Sequence, residues 1–355
     1  MKEHENTAAV RQNPFSISFG SKPKQYVERL VQTEDILSDF RQNDPASSTY
    51  MITGVRGSGK TVFMTTIANA LAEDGWIVID LNPKVDMRKS LVSSLYSQPL
   101  MKTHFLKAKI DLSLFGMGMT IEESSPISDY DVALDRMFSV IKKRGEKVLI
   151  TIDEASNTNE MQVFVSSFQI LTRKAYPVCL LMTGLYENLY DLQNEPNLTF
   201  LYRAPKIVLS PLNTGMMKQR YMDALEVSSE EAGDMARTVM GYPYGFQVLG
   251  YLYFKESPKS YKDVLPLFDQ YMSEYVYSKI WSELSKKDKE TLHAAIKSET
   301  GKVKEIRESI NMPLTSFSVY RDRLIKKGLL QPDTHGQIHL ALPRLKEFIE
   351  SQIEE

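Results

Sequence analysis

Glycine, lysine and threonine occur at the spacing of a phosphate-binding loop in the stretch TYMITGVRGSGKTVFMTTIANAL, residues 49–71. The stretch satisfies the pattern G-x-x-x-x-G-K-[ST], with an apolar strand before it and an amphipathic helix after it. Glycines let successive backbone N–H groups curl around a β-phosphate, and the helix N-terminus adds partial positive charge. We therefore predict nucleotide contacts from Gly54, Val55, Arg56, Gly57, Ser58, Gly59, Lys60, Thr61 and Val62.

Two side chains of this loop and two acids further along the chain have the types needed to hydrolyse the phosphoanhydride bond of a nucleoside triphosphate. Lys60 is expected to reach the β- and γ-phosphates of ATP, and the Thr61 hydroxyl to bind Mg²⁺. The apolar run VLITIDE ends in Asp153 and Glu154, at the carboxyl end of a predicted buried strand. We expect Asp153 to contribute to the Mg²⁺ site and Glu154 to be the general base that orients the attacking water.

Two further residues end predicted strands in the same region of the sequence. Thr183 ends the strand PVCLLMTGL, where it could bond the γ-phosphate or the attacking water, although strand-ending threonines are common without function. Asn82 ends the second strand in LNP. It could hold Glu154 in an unproductive rotamer, but an ordinary turn asparagine before proline is the stronger interpretation.

The elements that must position these residues alternate between strand and helix. Short apolar strands separated by amphipathic helices predict a parallel sheet covered on both faces, an α/β fold. A helix at 25–42 precedes the first strand, and the polar residues 1–24 form an N-terminal arm. The segment 107–123 alternates apolar and polar residues, which predicts an inserted β-hairpin. Decoration is the simpler interpretation of this hairpin, and partner contact is the other.

The pattern becomes helical after residue 212. Four helical stretches predict a helical lid domain over 213–280. Three helices and two short strands over 281–355 follow the winged helix-turn-helix pattern. The predicted domains are thus a P-loop core at 25–212, a lid and a winged helix.

These motifs together resemble the AAA+ ATPases of the additional-strand catalytic-glutamate class. The sequence is most similar to prokaryotic ATPases related to STAND signalling ATPases and to origin-recognition initiators. The stretches that carry the resemblance are GVRGSGKT, LITIDEA, LLMTGL, LYRAPKIVLSPL and GYPYGFQVLGY. The resemblance covers most of residues 15–350 and implies a P-loop sheet of the additional-strand type with bound ATP or ADP and Mg²⁺.

The resemblance also implies roles that the spacing alone does not give. Arg203 corresponds to an arginine that acts as a finger on a neighbouring subunit's ATP, or else it forms a surface salt bridge. Gly241 and Pro243 match the GxP element of the lid, where the proline packs near adenine. The sequence departs from the broader AAA+ pattern because GYPYGFQ lacks the sensor-2 arginine. Arg29 resembles an arginine that precedes the first strand, as a nucleotide contact or a helix-surface charge.

The winged helix leaves the choice of partner open. Its recognition helix is predicted at 314–327, with the candidate DNA-contacting residues Thr315, Ser316, Ser318, Arg321, Lys326 and Lys327. Residues 283–355 carry 13 basic and 12 acidic side chains, although DNA-reading domains are usually more basic. Winged helices also pack against proteins, so double-stranded DNA and a protein client are both candidate partners.

Composition excludes several classes of protein. The formal charge of −2 gives no global attraction to nucleic acid, and the lone Cys179 excludes an internal disulfide. The sequence has no secretory h-region and no apolar run of about 18 residues, so we expect a cytoplasmic protein without membrane contact.

Two functions therefore compete. The first is an ATP-hydrolysing AAA+ machine that forms homo-oligomers and acts on DNA. The second is a STAND-like ADP/ATP switch that a protein partner controls without DNA. A scaffold that retains nucleotide only for stability is disfavoured by the intact set of Lys60, Asp153 and Glu154.

Overall fold

The computed structural model describes residues 12–18, 23–117, 126–333 and 336–352. The chain divides into two compact units. The core unit comprises Arg29–Val55 and Gly59–Ser210, and the C-terminal unit comprises the residues up to Glu28, Arg56–Ser58 and Pro211–Glu355. Over the described ranges, every helix is too short or too polar to cross a bilayer.

A parallel five-stranded sheet forms the centre of the core unit. Its strands are β1 (Thr49–Thr53), β2 (Ile77–Leu81), β3 (Val148–Ile152), β4 (Val178–Gly184) and β5 (Lys206–Val208), in the order β2-β3-β4-β1-β5. The parallel α/β sheet predicted from the sequence is therefore confirmed. Strand β4 lies between β1, which precedes the phosphate-binding loop, and β3, which precedes Asp153. The candidate site residues that follow or end these three strands therefore lie at the carboxyl edge of the sheet.

Helices cover both faces of this sheet. They are α1 (Leu30–Phe40), α2 (Lys60–Glu73), α3 (Met87–Ser97), α4 (Pro99–Lys107), α5 (Tyr130–Arg144), α6 (Asn159–Arg173) and α7 (Tyr186–Gln193). Alternate residues of a strand face opposite sides, and β4 shows the result. Leu180 and Met182 pack with α3, α5 and α6, whereas Cys179 and Leu181 pack with α1 and α2. Because both faces of β3 and β4 are buried, these two strands read as nearly continuous apolar runs.

The hairpin predicted at 107–123 is wrong over the residues that the structure describes, and residues 118–123 lie outside them. Residues 107–117 contain the end of α4 and a 3₁₀ turn at Ser113–Phe115, with no strand among them. Ile110 and Leu112 are buried in the core, and the buried Asp111 between them accepts the Ser113 N–H at 2.9 Å. The alternation thus arises from a loop held by a buried aspartate, which periodicity alone does not distinguish from a strand.

The C-terminal unit is helical. It contains α8 (Thr214–Leu225), α9 (Ser229–Thr238), α10 (Pro243–Glu256), α11 (Leu265–Met272), α12 (Ser278–Ser282), α13 (Lys286–Lys297), α14 (Val303–Ser309), α15 (Leu314–Lys326) and α16 (Leu345–Ser351). The strands β6 (Leu330–Pro332) and β7 (Ile338–Leu340) pair antiparallel between α15 and α16. Asp269 of α11 pairs with Arg344 at the start of α16. The predicted lid and winged helix therefore fall within one unit, and their separation into two domains stays a prediction.

Candidate functional site

The phosphate-binding loop has the backbone that its glycines predict. Gly57 and Gly59 have φ values of 78° and 85°, in the left-handed region where a side chain is strained. Gly59 is the N-cap of α2, so the helix begins at Lys60 with its free N–H groups directed at the loop. The Lys60 ammonium donates to the carbonyls of Gly54 at 2.9 Å and Val55 at 3.1 Å. The Lys60 side chain thus lies against the first residues of the loop in which it is expected to bind phosphate.

A carboxylate and two hydroxyls meet at the carboxyl edge of the sheet. Asp153 directly follows β3, and its Oδ2 accepts the Thr61 hydroxyl at 2.6 Å. Its Oδ1 accepts the hydroxyl of Thr183, which is fully buried on the adjacent strand β4. Thr61 of α2 and Thr183 of β4, which lie 122 positions apart in sequence, therefore both bond the Asp153 carboxylate.

Glu154 has an unusual backbone for a glutamate. Its φ is 55°, a left-handed conformation that costs non-glycine residues about 1–3 kcal/mol and clusters at functional sites. The Glu154 N–H donates to Asp153 Oδ1 at 3.0 Å, and the next residue, Ala155, donates its N–H to the Thr183 carbonyl at 2.8 Å. These bonds fix the turn while the Glu154 side chain remains exposed. The backbone of Glu154 is thus fixed next to Asp153, and its carboxylate is open to solvent.

The donor set at Asp153 fits the metal that the motif implies. Mg²⁺ prefers oxygen ligands and is commonly held by one or two carboxylates together with substrate phosphates. The Thr61 hydroxyl oxygen and the Asp153 carboxylate provide two oxygens 2.6 Å apart, next to the first turn of α2. This arrangement suits a magnesium ion bound to a nucleotide.

The tip of the phosphate-binding loop, Arg56–Ser58, groups with the C-terminal unit, where two tyrosines contact it. The buried Tyr242 donates its hydroxyl to the Arg56 carbonyl, and the Tyr244 N–H donates to the Gly57 carbonyl at 3.2 Å. A Cβ on Gly57 would lie 2.0 Å from the Tyr242 hydroxyl, so glycine is required there for contact as well as conformation. Burial raises the pKa of Tyr242 well above its usual range, which keeps this donor protonated.

Sequence analysis missed Tyr242, although it lies between Gly241 and Pro243. Nothing in its spacing distinguishes it from a core tyrosine, because its partner is a backbone carbonyl 186 positions away. Pro243 begins α10, where its lack of an N–H costs no helical hydrogen bond. The proline thus starts the helix that presents both tyrosines.

The other predicted site residues differ in their surroundings. Arg203, at the end of a 3₁₀ helix over Pro196–Arg203, is exposed, and within the described part of the chain its guanidinium has no ion-pair partner. Arg29 is buried and donates to the Ser210 carbonyl at 2.5 Å, so it is more than a helix-surface charge. The Asn82 amide oxygen accepts the Lys84 N–H at 2.9 Å, which is the turn role that the sequence favoured.

The candidate DNA-contacting helix α15 has its arginines engaged within the protein. Arg323 donates to Asp288 Oδ1 at 2.5 and 2.9 Å, and Arg321 pairs with Asp322 at 2.9 Å. The exposed surface of α15 includes Leu314 and Val319, each 62% exposed. The residues near its start, Thr315 and Ser316, are exposed as well, and Ser318 is half-buried.

The strand order, the phosphate-binding loop between β1 and α2, and the acidic pair after β3 are features of the AAA+ fold, a parallel P-loop sheet of the additional-strand type. Comparison with solved structures finds this fold in proteins that include two from archaea. The first is the Walker-type ATPase PABY2304 of Pyrococcus abyssi, with a TM-score of 0.66 and 13% identity over 92% of this chain and 96% of that one. The second is the Aeropyrum pernix ORC2 protein in its ADPNP–ADP complexes, with a TM-score of 0.57 and 13% identity over 95% and 97%.

Comparisons of sequence add one match. A family model described as a domain of unknown function (DUF8462) matches residues 274–349, which span α12 to β7 and most of α16. Among curated proteins, none matches this sequence.

Proposed function

We propose that this protein hydrolyses ATP in a Mg²⁺-dependent reaction and couples its nucleotide state to assembly or conformational change. The observation that carries the proposal is the shared Asp153 carboxylate. It accepts hydroxyls from Thr61 and Thr183 and lies one residue before an exposed glutamate on a strained turn. A phosphate-binding loop alone supports only nucleotide binding. The added carboxylate pair supports hydrolysis, because the reaction needs one acid near the metal and another near water.

Each residue then has a separate task. The backbone N–H groups of residues 55–61 and the Lys60 ammonium would hold the phosphates, and Thr61 and Asp153 would hold Mg²⁺. The ion would supply positive charge against the charge that develops on the phosphate oxygens. Thr183 keeps the Asp153 carboxylate in place. Glu154 accepts a hydrogen bond from the attacking water and orients it for in-line attack on the γ-phosphorus.

Arg203 supports assembly as part of this function. Its guanidinium is exposed, the adjacent Tyr202 is 65% exposed, and Val208 on the edge strand β5 is 59% exposed, so this part of the surface is open to a second copy of the chain. An arginine supplied by a second copy stabilises the charge of the transition state and is worth about 10³–10⁵ in rate. We therefore infer a homo-oligomer in which Arg203 completes a neighbouring site.

The experiment compares phosphate release and ATP binding for the wild-type chain and Glu154→Gln. We expect the variant to bind ATP with unchanged affinity and to lose turnover by about 10²–10⁴. The matched control is Glu160→Gln, because Glu160 is an exposed glutamate in the first turn of α6 that contacts none of the site residues described above. Unchanged turnover in Glu154→Gln would remove Glu154 as the base, and an absence of ATP binding in the wild type would remove the proposed function.

A second candidate function is a nucleotide-dependent switch controlled by a protein partner rather than by DNA. Two observations on α15 favour it. Arg321 and Arg323 each form an ion pair with an aspartate of this chain, and Leu314 and Val319 are exposed. Phosphate contacts need uncommitted basic side chains, whereas exposed apolar residues suit a protein surface. The two functions separate when ATP turnover and particle size are measured with and without duplex DNA. DNA-stimulated turnover with assembly supports the DNA-acting machine, and slow turnover indifferent to DNA supports the switch.

A further inference from the structure

A short segment near the N-terminus is docked on the helices of the C-terminal unit. The Phe15 ring is 3% exposed and packs against Tyr221 and Phe246, with ring centroids 5.6 and 5.5 Å apart. The Asn13 amide donates to the Tyr251 carbonyl at 3.0 Å, and its oxygen accepts the Phe15 N–H at 3.0 Å. The sequence predicts only a polar arm here, but residues 13–16 form an anchored turn, which we call the strap.

The site that receives Phe15 depends on a glycine in α10. A Cβ at Gly250 would lie 2.5–2.6 Å from three atoms of the Phe15 ring, closer than real Cβ contacts allow. The φ of Gly250 is not in the left-handed region, so the glycine is needed for the approach of the ring. Gly250, Tyr221 and Phe246 thus form a slot shaped for an aromatic side chain.

A glutamine of the same helix bonds the strap and also a residue further along the chain, Gln25. Gln247 is 7% exposed; its amide oxygen accepts the Ser16 N–H at 3.0 Å and its amide nitrogen donates to the Gln25 carbonyl at 2.6 Å. Gln247 belongs to the motif GYPYGFQ, which lacks the arginine expected from the broader AAA+ pattern. The side chain at this point in the helix therefore ties down the strap.

The same helix α10 contacts the phosphate-binding loop at its other end. Tyr242, the N-cap of α10, and Tyr244, in its first turn, bond the carbonyls of Arg56 and Gly57. The strap contacts lie one to two turns further along, at Gln247, Gly250 and Tyr251. A rigid helix therefore joins the strap to the loop that is expected to cradle phosphate.

We propose that the strap restrains α10 and thereby slows the release of nucleotide from the phosphate-binding loop. With Phe15 in its slot, α10 keeps Tyr242 and Tyr244 on the loop. When Phe15 leaves, the helix is free to move and the two hydrogen bonds to the loop are lost. This inference rests on the proposed function, because it requires the loop to bind ADP.

The first experiment measures the rate at which a fluorescent ADP analogue dissociates from the full chain. Phe15→Ala and Asn13→Ala should each accelerate release, Phe15→Ala by about tenfold. Asn13→Ala removes one hydrogen bond without opening a core cavity, so it remains informative if Phe15→Ala does not fold. Ser18→Ala is the matched control and should release ADP at the wild-type rate, because Ser18 bonds only Ser16 among the described residues. Wild-type release from both strap variants would overturn the inference.

The second experiment observes the strap itself by hydrogen exchange. The amides of Phe15 and Ser16 should be protected in the wild type and exposed in Gly250→Ala, where the added methyl group fills the slot. Rapid exchange in the wild type would overturn the strap whatever the nucleotide result. A chain that shows a protected strap but binds no ADP would instead refute the proposed function, so the two failures are distinguishable.

Discussion

The hydroxyl of Thr183 donates to Asp153 Oδ1 while the hydroxyl of Thr61 donates to Oδ2 of the same carboxylate. The two threonines come from β4 and α2, and the aspartate follows β3. The sequence leaves two interpretations of Thr183 open, a contact with the γ-phosphate or the attacking water and a strand end without function, and in this structure its hydroxyl is bonded to Asp153. We therefore infer that Thr183 acts on the reaction by orienting the Asp153 carboxylate.

Replacing Thr183 with valine tests this role. The side chain keeps its shape but loses its donor, so Asp153 Oδ1 loses its bond to the buried hydroxyl and the carboxylate can rotate. Partners of this kind cost about 10–100-fold in metal affinity or activity when removed. We expect Thr183→Val to raise the Mg²⁺ concentration needed for half-maximal phosphate release, measured by magnesium titration at saturating ATP.

Thr183→Ser is the matched control because it retains the hydroxyl. It should restore the Mg²⁺ dependence to near that of the wild type. A Thr183→Val chain with normal Mg²⁺ dependence but reduced turnover would instead support direct contact with the attacking water.

The exposed position of Arg203 predicts complementation between defective subunits. Arg203→Ala leaves its own site intact but gives the neighbour no finger, while Glu154→Gln retains the finger and lacks the base. Each variant alone should be nearly inactive, and mixing them should restore part of the phosphate release, because some interfaces pair an intact base with an intact finger.

The amount of rescue in a titration of one variant against the other measures this effect. Lys206→Ala serves as the control, since Lys206 is an exposed cation near Arg203 that contacts Tyr202. The Lys206→Ala variant should release phosphate at the wild-type rate when it is assayed alone, without mixing. Failure of every mixture to exceed the separate activities would leave Arg203 as a structural arginine.

The sequence predicts the elements whose signals are local. Helix α2 spans 60–73 as its motif and periodicity indicate, and the strand ends bring Asp153 and Thr183 to one edge because parallel strands have a common direction. The contacts of Phe15 and Tyr242 could not be predicted, since each depends on partners about 190–240 positions away that carry no periodic signal. The hairpin prediction at 107–123 failed because a local signal was misleading there. The alternation of apolar and polar residues arises from a loop around the buried Asp111 and not from a strand.

The pairing of Asp288 with Arg323 predicts a local loss of stability when it is broken. Asp288 is 1% exposed, caps α13 together with Ser285, and accepts two hydrogen bonds from Arg323 of α15. Asp288→Ala removes a helix cap and a charge-assisted bond, which together contribute about 2–4 kcal/mol. Urea unfolding followed by Trp281 fluorescence in a Trp76→Phe background should show a lower midpoint.

Asp322→Ala provides the comparison, with an ion pair that lies within α15. Asp322 also bonds an arginine, but its side chain is 53% exposed, and exposed pairs contribute about 0–1 kcal/mol. Its unfolding midpoint should stay close to that of the wild type. Equal midpoints for the two variants would mean that the buried pair contributes no more than a surface pair.

The thiol of Cys179 should be inert in the folded chain. Burial raises its pKa to about 12, from a usual value near 9, so at pH 8 almost none of it is the reactive thiolate. It is the lone cysteine, on the central strand β4, packed against α1 and α2. We expect slow reaction with an aromatic disulfide reagent at pH 8, and rapid reaction of one thiol per chain after unfolding in guanidinium.

Because the reagent needs both access to the thiol and its ionisation, raising the pH from 8 to 9 should accelerate the native reaction only as far as the thiolate fraction rises, about tenfold. Rapid labelling of the folded chain at pH 8 would show that the face of the sheet beneath α1 and α2 opens readily.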